Sequence, residues 1–243
     1  MSERDALVFL ARSREGGRKA RTCNNWIREL NLWSEYRGYG WRLRYFRSHT
    51  RPEIWVPTHR EVHERLLRLT WPDRSTDARN RAILYLLADA GPRRQEVVNL
   101  RLQDLVPPPK GPKVWIRAGK GEKDRVLELS SRTWELIQLY IRDYRCRSDR
   151  SVLFTTPRGP VSYGYLGKLV GQAGKACGLP KLTCHKLRHF CVDDLLDHGV
   201  SVPSVAQQMG HSSWETVRIY REQRATARLA EEEIRRAAKR RFG

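Results

Sequence analysis

An Arg and a Glu at one predicted helix start are the first candidates for chemistry. Arg93 follows Gly91-Pro92 and precedes Glu96 by three residues, so the two side chains share a helical face. Helix N-termini favour anions, and an Arg at such a position indicates a bound phosphate, with Glu96 orienting the guanidinium. A solvated helix start would show the same residue types, so this segment alone leaves both interpretations open.

A Lys in a predicted turn is the second candidate. Lys120 lies in the polar segment 119–124, between the apolar segments 114–116 and 125–127. This pattern predicts a β-hairpin with Lys120 near its tip. A Lys in that position can act on a ligand as a point charge or as a proton donor. Hairpin tips are commonly rich in Lys, so a purely solvated Lys120 remains the alternative.

The sequence His-Lys-Leu-Arg-His forms the third candidate. His185, Arg188 and His189 share one helical face. A His followed one turn later by an Arg suits a phosphate site that also needs a base near neutral pH. Two His at this spacing also occur in zinc proteases, but that motif needs a Glu after the first His, where Lys186 stands. The nearby cysteines match no zinc-finger or ribbon spacing, so we expect no metal here. A structural helix is the remaining alternative.

The fourth candidate is residues 210–220, where one predicted helix ends and another begins. Gly210 is typical of a helix C-terminus, and Ser212 or Ser213 of the next N-terminus. His211 lies between them, and Tyr220 follows about two helical turns later. A lone Tyr usually belongs to a core or an interface, and it gains another interpretation only beside the other three segments.

The elements that must position these residues are mostly helical. Apolar spacing predicts helices over 2–15 and from about residue 22, and a capping-box pair, Thr58 and Glu61, predicts another start. The remaining predicted helices cover 82–90, 94–100, 131–144, 162–177, 183–198, 201–209 and about 222–240. Residues 47–57 contain two Pro and predict a linker. We therefore expect a mainly α fold with a small β-sheet.

Composition narrows the class of partner. The 243 residues have a formal net charge of +20, which favours a polyanion, nucleic acid first and an acidic membrane surface second. No run of about eighteen apolar residues is present, and the charged first residues do not match a secretory signal. The five cysteines are odd in number and form no Cys-x-x-Cys pair, which is typical of a reduced, intracellular protein.

Taken together, the four segments resemble the tyrosine recombinase or phage integrase family over about residues 54–221. The shared motifs are Gly-x-Arg-x-x-Glu, Gly-Lys-Gly-x-Lys-x-Arg, His-x-Leu-Arg-His, Gly-His-Ser-Ser and a final Tyr nine residues after the last His. The departures are small: Pro92 replaces a Leu, Arg94-Gln95 replaces an apolar-Ser pair, and Glu128 stands where Pro is common. None of them removes a catalytic group of the family.

The resemblance implies phosphoryl transfer on DNA with neither a metal nor another cofactor. The implied catalytic residues are Arg93, Lys120, His185, Arg188, His211 and Tyr220, with Glu96 in a supporting position. The Tyr hydroxyl would attack a DNA phosphate to form a 3′-phosphotyrosyl bond and release a 5′-hydroxyl. A 5′-hydroxyl from another strand would then reverse the step.

Each residue type suits its implied role. Two guanidiniums, with a hydrogen bond from His211, would stabilise the charge of the pentacoordinate phosphorane. A Tyr with an ordinary pKa of about 10 is a poor nucleophile at neutral pH, so His185 would take its proton. Lys120 would protonate the leaving 5′-oxygen.

The resemblance also implies how the chain is organised. Residues 1–53 would form a short helical DNA-clamping segment, reduced relative to the family and without an arm-binding domain. Residues 54–221 would form the catalytic domain, and a tail helix over 222–243 would dock on a neighbouring protomer. The expected partners are double-stranded DNA with specific core sites, further copies in a homotetramer, and accessory DNA-bending or directionality proteins. The expected location is the cytoplasm, at the nucleoid or in the host cell of a virus.

Three alternatives to the main interpretation remain open on the sequence. Integration or excision of a mobile element is the main interpretation, and resolution of replicon dimers by a Xer-like enzyme is the second. A topoisomerase-like nicking and closing activity uses the same architecture. A DNA-binding protein without recombination activity is disfavoured, because a competent residue fills every matched catalytic position.

Overall fold

The structure is a computed structural model that describes residues 1–46, 55–109, 111–117, 124–147, 149 and 151–210. The chain divides into two compact units, Met1–Ile54 and Trp55–Gly243. Within the described part of the chain, no helix is both long and apolar enough to cross a membrane.

The first unit is a pair of helices, α1 (Glu3–Glu15) and α2 (Ala20–Tyr36). Ser2 caps α1 and exchanges hydrogen bonds with Asp5, which satisfies the free N–H groups of the first turn. A small core fills the space between the helices and the segment after α2. Its buried members are Ala6, Leu10, Cys23, Ile27 and Leu43.

Two Asn side chains of α2 hold the segment after it in place. The Asn31 side chain accepts from the Leu43 N–H at 2.7 Å and donates to the Leu43 carbonyl at 3.0 Å. Asn24 makes the same paired contacts with the backbone of Phe46, at 2.8 and 2.9 Å. The two side-chain amides thus satisfy backbone N–H and C=O groups that would otherwise pair with a neighbouring strand.

The second unit is built mainly from helices around α3. Its α-helices are α3 (Arg74–Asp89), α4 (Arg94–Asn99), α5 (Ser131–Leu139), α6 (Tyr163–Ala176), α7 (Cys184–Asp197) and α8 (Val202–Met209). Two π-helical turns cover Glu61–Arg65 and Tyr140–Tyr144, and two 3₁₀ turns cover Leu66–Arg68 and Leu102–Asp104. Helix α3 packs against α5 and α7 and buries Ala82, Ile83, Leu86 and Leu87 completely.

The described residues of the second unit also form two antiparallel sheets. The first has the order β1 (Leu105–Val106), β2 (Lys113–Ile116) and β3 (Arg125–Glu128). Val114 pairs with Leu127 and Ile116 with Arg125. The second sheet consists of β4 (Thr155–Thr156) and β5 (Gly159–Pro160).

Short polar residues fix where most helices of this unit begin. In each case a side-chain oxygen accepts the backbone N–H three residues later, as N-caps do. The five N-caps are Asp73, Ser130, Ser162, Thr183 and Ser201. Helix α4 is the exception, because its N-cap position is held by Arg93.

The prediction of a mainly α fold with a small sheet is confirmed. Helices α5 to α8 and the strands of the hairpin lie where the sequence predicted them, although the end of the 131–144 prediction is a π turn. Helix α3 begins at Arg74, eight residues before the predicted start, because Asp73 caps it there. The predicted linker lies largely in residues 47–54, and the predicted tail helix in 211–243, both outside the described residues.

Candidate functional site

Arg93 and Glu96 are paired at the start of α4, as their spacing predicted. The Arg93 backbone N–H donates to Glu96 Oε2 at 2.7 Å, and Arg93 Nη1 donates to Glu96 Oε1 at 3.1 Å. One carboxylate therefore caps the helix and holds the guanidinium. The Arg93 side chain keeps 36% of its surface exposed, so it remains accessible to a ligand.

Arg188 on α7 is the most buried cation of the group. Its Nη1 donates to the Gly91 carbonyl at 2.7 Å and its Nη2 donates to the Met209 carbonyl. Burial lowers the pKa of Arg188 to about 10, with Glu96 opposing this shift and Arg93 and Arg125 adding to it. The guanidinium is still charged at neutral pH and is held in one orientation.

Arg125, on β3, completes the arrangement. Its Nη1 and Nη2 donate to the two oxygens of Glu96 at 2.9 and 2.7 Å, and its Nε donates to the Gln208 carbonyl at 2.9 Å. Only 8% of the Arg125 side chain is exposed. Arg125 thus ties the hairpin, α4 and the end of α8 together through fork-shaped contacts that Lys could not reproduce.

Sequence reasoning did not assign Arg125 to the site. It was part of the Gly-Lys-Gly-x-Lys-x-Arg motif, but no role was predicted for it. A usable signal was present: side chains alternate along a strand, so Arg125 shares a face with Leu127, which is fully buried. A charge on a buried face needs a partner, and the structure shows that Glu96 is that partner.

Three guanidiniums meet at the C-terminus of α8. Arg125, Arg188 and Arg93 donate in turn to the carbonyls of residues 208, 209 and 210. The last carbonyls of a helix lack intrahelical partners and carry partial negative charge, so they hold cations well. The end of α8 therefore gathers side chains from α4, β3 and α7 into one place.

Gly210 is required by this arrangement. It ends α8 with φ of 61°, in the left-handed region that favours glycine. A Cβ on Gly210 would come within 2.9 Å of Arg125 side-chain atoms. Gly91 is also left-handed, with φ of 61°, and a Cβ there would lie 3.1 Å from Cys191 and Met209. Both glycines allow the backbone to approach Arg93, Arg125 and Arg188 closely. These three residues are called the Arg cluster below.

Among the described residues, the cluster contains three guanidiniums and one carboxylate, that of Glu96. Glu96 accepts hydrogen bonds from Arg93 and Arg125, and it is the carboxylate that acts on the pKa of Arg188. Burial raises the pKa of Glu96, but the Arg125 hydrogen bond and the Arg93 backbone N–H outweigh it and lower the pKa overall. Among the described residues, Glu96 is thus the carboxylate that contacts these guanidiniums, and the fixed positive charges of the cluster favour an anion at this site.

His185 lies one turn before Arg188 at the start of α7. Partial burial lowers the pKa of His185, and the positive charges of Arg188 and Lys186 lower it further. Its ring lies edge-on to the ring of His189, with the centroids 4.2 Å apart. His189 itself is buried, with 8% exposure, and forms part of the packing of α7. A neutral His185 beside a fixed guanidinium is able to accept a proton.

The structure brings together Arg93, Glu96 and Arg188, with His185 beside Arg188. Lys120, His211 and Tyr220 lie outside the described residues, so their positions stay predictions. Their neighbours in the chain are described: β2 and β3 flank the segment that holds Lys120, and Gly210 directly precedes His211.

The comparisons with known proteins agree with this geometry. Residues 58–227 match the model of the phage integrase family. The chain is 30% identical over 241 residues to tyrosine recombinase XerA of Pyrococcus furiosus, covering 96% of this chain and 80% of that one. The chain therefore belongs to the phage integrase family, the tyrosine recombinases, which are site-specific DNA-cleaving and rejoining enzymes.

Solved structures share the fold at lower identity. The XerH site-specific recombinase, in a post-cleavage complex with a palindromic difH substrate, aligns with a TM-score of 0.75 at 22% identity, over 96% of this chain and 73% of that one. The Tn1549 transposon integrase, in complex with circular intermediate DNA, aligns with a TM-score of 0.71 at 19% identity, over 89% of this chain and 80% of that one.

Proposed function

We propose that this recombinase cleaves DNA through a 3′-phosphotyrosyl bond to Tyr220 and that the Arg cluster binds the scissile phosphate. The observation that carries the proposal is that Arg93 and Arg188 both donate to backbone carbonyls at the end of α8. These carbonyls belong to the two residues that directly precede His211. Two guanidiniums from separate elements, held by backbone carbonyls, form a preorganised site for a phosphate.

The charge of the cluster suits the transition state better than the ground state. A phosphodiester carries one negative charge, and the pentacoordinate phosphorane carries about two. The guanidiniums of Arg93 and Arg188 are fixed positive charges, which stabilise the additional negative charge of the phosphorane. Arg93 and Arg188 are the groups proposed to touch the phosphate, whereas Glu96 and Arg125 position them.

Proton transfer is assigned to the titratable residues beside the cluster. His185 takes the proton of the Tyr220 hydroxyl, and its lowered pKa keeps the imidazole neutral at pH 7. Lys120 gives a proton to the leaving 5′-oxygen, and His211 donates a hydrogen bond to a non-bridging oxygen. The lowered pKa of His185 supports its part in this assignment, and the parts of the other residues rest on the family motifs.

The proposed partner is double-stranded DNA that contains specific core sites. The net charge of +20 supports backbone contacts over much of the surface. We assign residues 1–53 to a DNA clamp, 54–221 to catalysis, and 222–243 to a tail that docks on a neighbouring protomer. Strand exchange would then take place in a homotetramer, with accessory DNA-bending or directionality proteins where direction is controlled.

Integration or excision of a mobile element is the proposed biological role. A second role, resolution of replicon dimers, is favoured by one observation: the XerA relative matches nearly the whole chain. The two roles differ in the substrates they need. Joining of two separate DNA molecules that each carry one site would measure integration, and a plasmid with two directly repeated sites would measure resolution, in separate in vitro assays.

The test of the cleavage chemistry uses a nicked duplex. Duplexes selected from a random pool for binding to the full chain would carry a nick next to the cleavage position, so that the released short strand diffuses away. The proposal expects a protein–DNA complex that survives denaturation. Tight binding of the selected duplexes without any covalent complex would instead leave a DNA-binding protein that lacks recombinase activity.

A further inference from the structure

Three metal-ligating side chains lie close together in the second unit, outside the Arg cluster. His59 lies just before the π-helical turn Glu61–Arg65, and His63 lies within it. Asp194 lies on α7. Each offers one potential ligand atom, and the three atoms lie within 4.8 Å of one another. His59 Nε2 is 3.9 Å from Asp194 Oδ1.

The two imidazoles are held together before any ligand binds. Thr58 and Glu61 form a capping box, with Thr58 N donating to Glu61 Oε2 at 2.7 Å and Glu61 N donating to Thr58 Oγ1 at 3.2 Å. This cap sets the turn that places His59 and His63 four residues apart on one face. Their rings stack with centroids 4.1 Å apart and an interplanar angle of 19°.

The surroundings of the cluster add an apolar base and a fourth polar group. The ring of Phe190, only 4% exposed, lies 6.0 Å from the His63 ring and 6.5 Å from the His59 ring. His198 also lies close to Asp194, with its Nδ1 2.8 Å from the Asp194 carbonyl and 3.8 Å from Asp194 Oδ1.

We propose that His59, His63 and Asp194 bind a divalent transition metal, with Zn²⁺ as the expected ion. Two imidazole nitrogens and one carboxylate oxygen are ligands that Zn²⁺ accepts, with water or His198 in the fourth position. In a tetrahedral zinc site the ligand atoms lie about 3.3 Å apart, so small side-chain rotations would close the present separations. Mg²⁺ and Ca²⁺ prefer all-oxygen sites and fit these residues poorly.

The metal would cross-link two elements rather than take part in strand cleavage. His59 and His63 lie in the segment that begins the second unit, and Asp194 lies six residues after Arg188 on α7. A ligand bound only by the folded state stabilises it, so Zn²⁺ would fix this segment against the helix that carries Arg188 and His185.

The test is metal binding to the full chain without an affinity tag. Metal-stripped protein would be titrated with Zn²⁺ by calorimetry and with Co²⁺ by visible absorption. Wild type is expected to bind one ion per chain at this site and to gain thermal stability with Zn²⁺. His63→Gln and Asp194→Asn, which nearly preserve shape, are expected to lower the affinity by about tenfold or more and to lose the stabilisation.

Two matched controls separate ligation from general changes of charge. Asp197→Asn removes an exposed carboxylate from the same helix, and His185→Gln removes an exposed imidazole; both are expected to keep wild-type metal affinity. The cysteines are a competing site, and a Co²⁺–thiolate charge-transfer band would reveal them. The proposal is overturned if wild type binds no Zn²⁺, or if binding survives in His63→Gln and Asp194→Asn at the affinity of the controls.

Discussion

Removing the charge of Glu96 tests whether the Arg cluster depends on this carboxylate. In Glu96→Gln the side chain keeps its shape and one acceptor oxygen, but Arg93 and Arg125 lose the negative charge that they contact. Glu96 is 11% exposed and Arg125 is 8% exposed, so the pair is largely desolvated. Removing one partner of a buried ion pair costs about 3–5 kcal/mol, and because Gln retains part of the hydrogen bonding we expect about 3 kcal/mol.

The assay is urea unfolding of the full chain, followed by circular dichroism and analysed by linear extrapolation. The matched control is Glu135→Gln, which breaks an ion pair of the same i, i+3 spacing with Arg132, whose two side chains are 57% and 63% exposed. We expect that control to change the free energy of unfolding by less than about 1 kcal/mol. If Glu96→Gln costs no more than Glu135→Gln, the carboxylate does not hold the cluster and the reasoning is refuted.

The pH dependence gives a second measure of the same contact. The folded pKa of Glu96 lies below its ordinary value of 4.5. A lowered pKa means that its contribution to stability is complete above pH 4.5 and is lost as the pH falls through the lower folded value. The stability difference between wild type and Glu96→Gln should therefore shrink in that acidic range, and a difference that stays constant would contradict this.

Three further predictions concern the same site. Arg93→Ala and Arg188→Ala should each lower cleavage by about 10²–10³-fold with folding retained, and near-normal cleavage by either would remove that residue from the phosphate site. The acidic limb of the cleavage–pH profile should lie below pH 6.5, because the pKa of His185 is lowered, and Lys186→Gln should move it upward; an unmoved limb would contradict His185 as the base. Gly210→Ala should destabilise the chain by about 1 kcal/mol or more in urea unfolding, because φ is 61° and the added Cβ would crowd Arg125. Unchanged stability would show that neither the left-handed backbone nor the space beside Arg125 requires a glycine.

The parts of the fold set by local rules could be predicted from the sequence. Ser130, Ser162, Thr183 and Ser201 each cap the helix that was expected to start there, and Gly210 ends α8. Caps and left-handed glycines depend on a few neighbouring residues, so their signals survive without tertiary information.

The parts that depend on packing were less predictable. In α2, Trp26, Leu30 and Trp33 have the apolar spacing of a helix, but all three are only partly buried. Ile27 and Ser34 are buried more deeply. Ser34 is tolerated there because its hydroxyl donates to the Trp41 carbonyl at 2.7 Å. Strands β1, β4 and β5 have two residues each, too few to show the alternation that marks a strand.

The candidate site also combines contacts that local spacing predicts with contacts that depend on tertiary packing. The pairing of Arg93 with Glu96 follows from helical spacing within one segment, and it was predicted. The contacts of Arg125 with Glu96 and with the end of α8 join residues far apart in the chain, 29 and 83 positions respectively, and no local pattern encodes them. The family motifs placed Lys120, His211 and Tyr220 in the site, and these assignments stay predictions.

The central claim is that Tyr220 is the nucleophile, and the covalent adduct tests it directly. Wild type and Tyr220→Phe would be incubated with the same nicked duplex, denatured, digested and analysed by mass spectrometry for a nucleotide-modified peptide. We expect an adduct on the peptide that contains Tyr220 in wild type. We expect no adduct in Tyr220→Phe, although DNA binding is retained, because only a hydroxyl is lost. An adduct on another residue, or one that persists in the Phe variant, would contradict this claim.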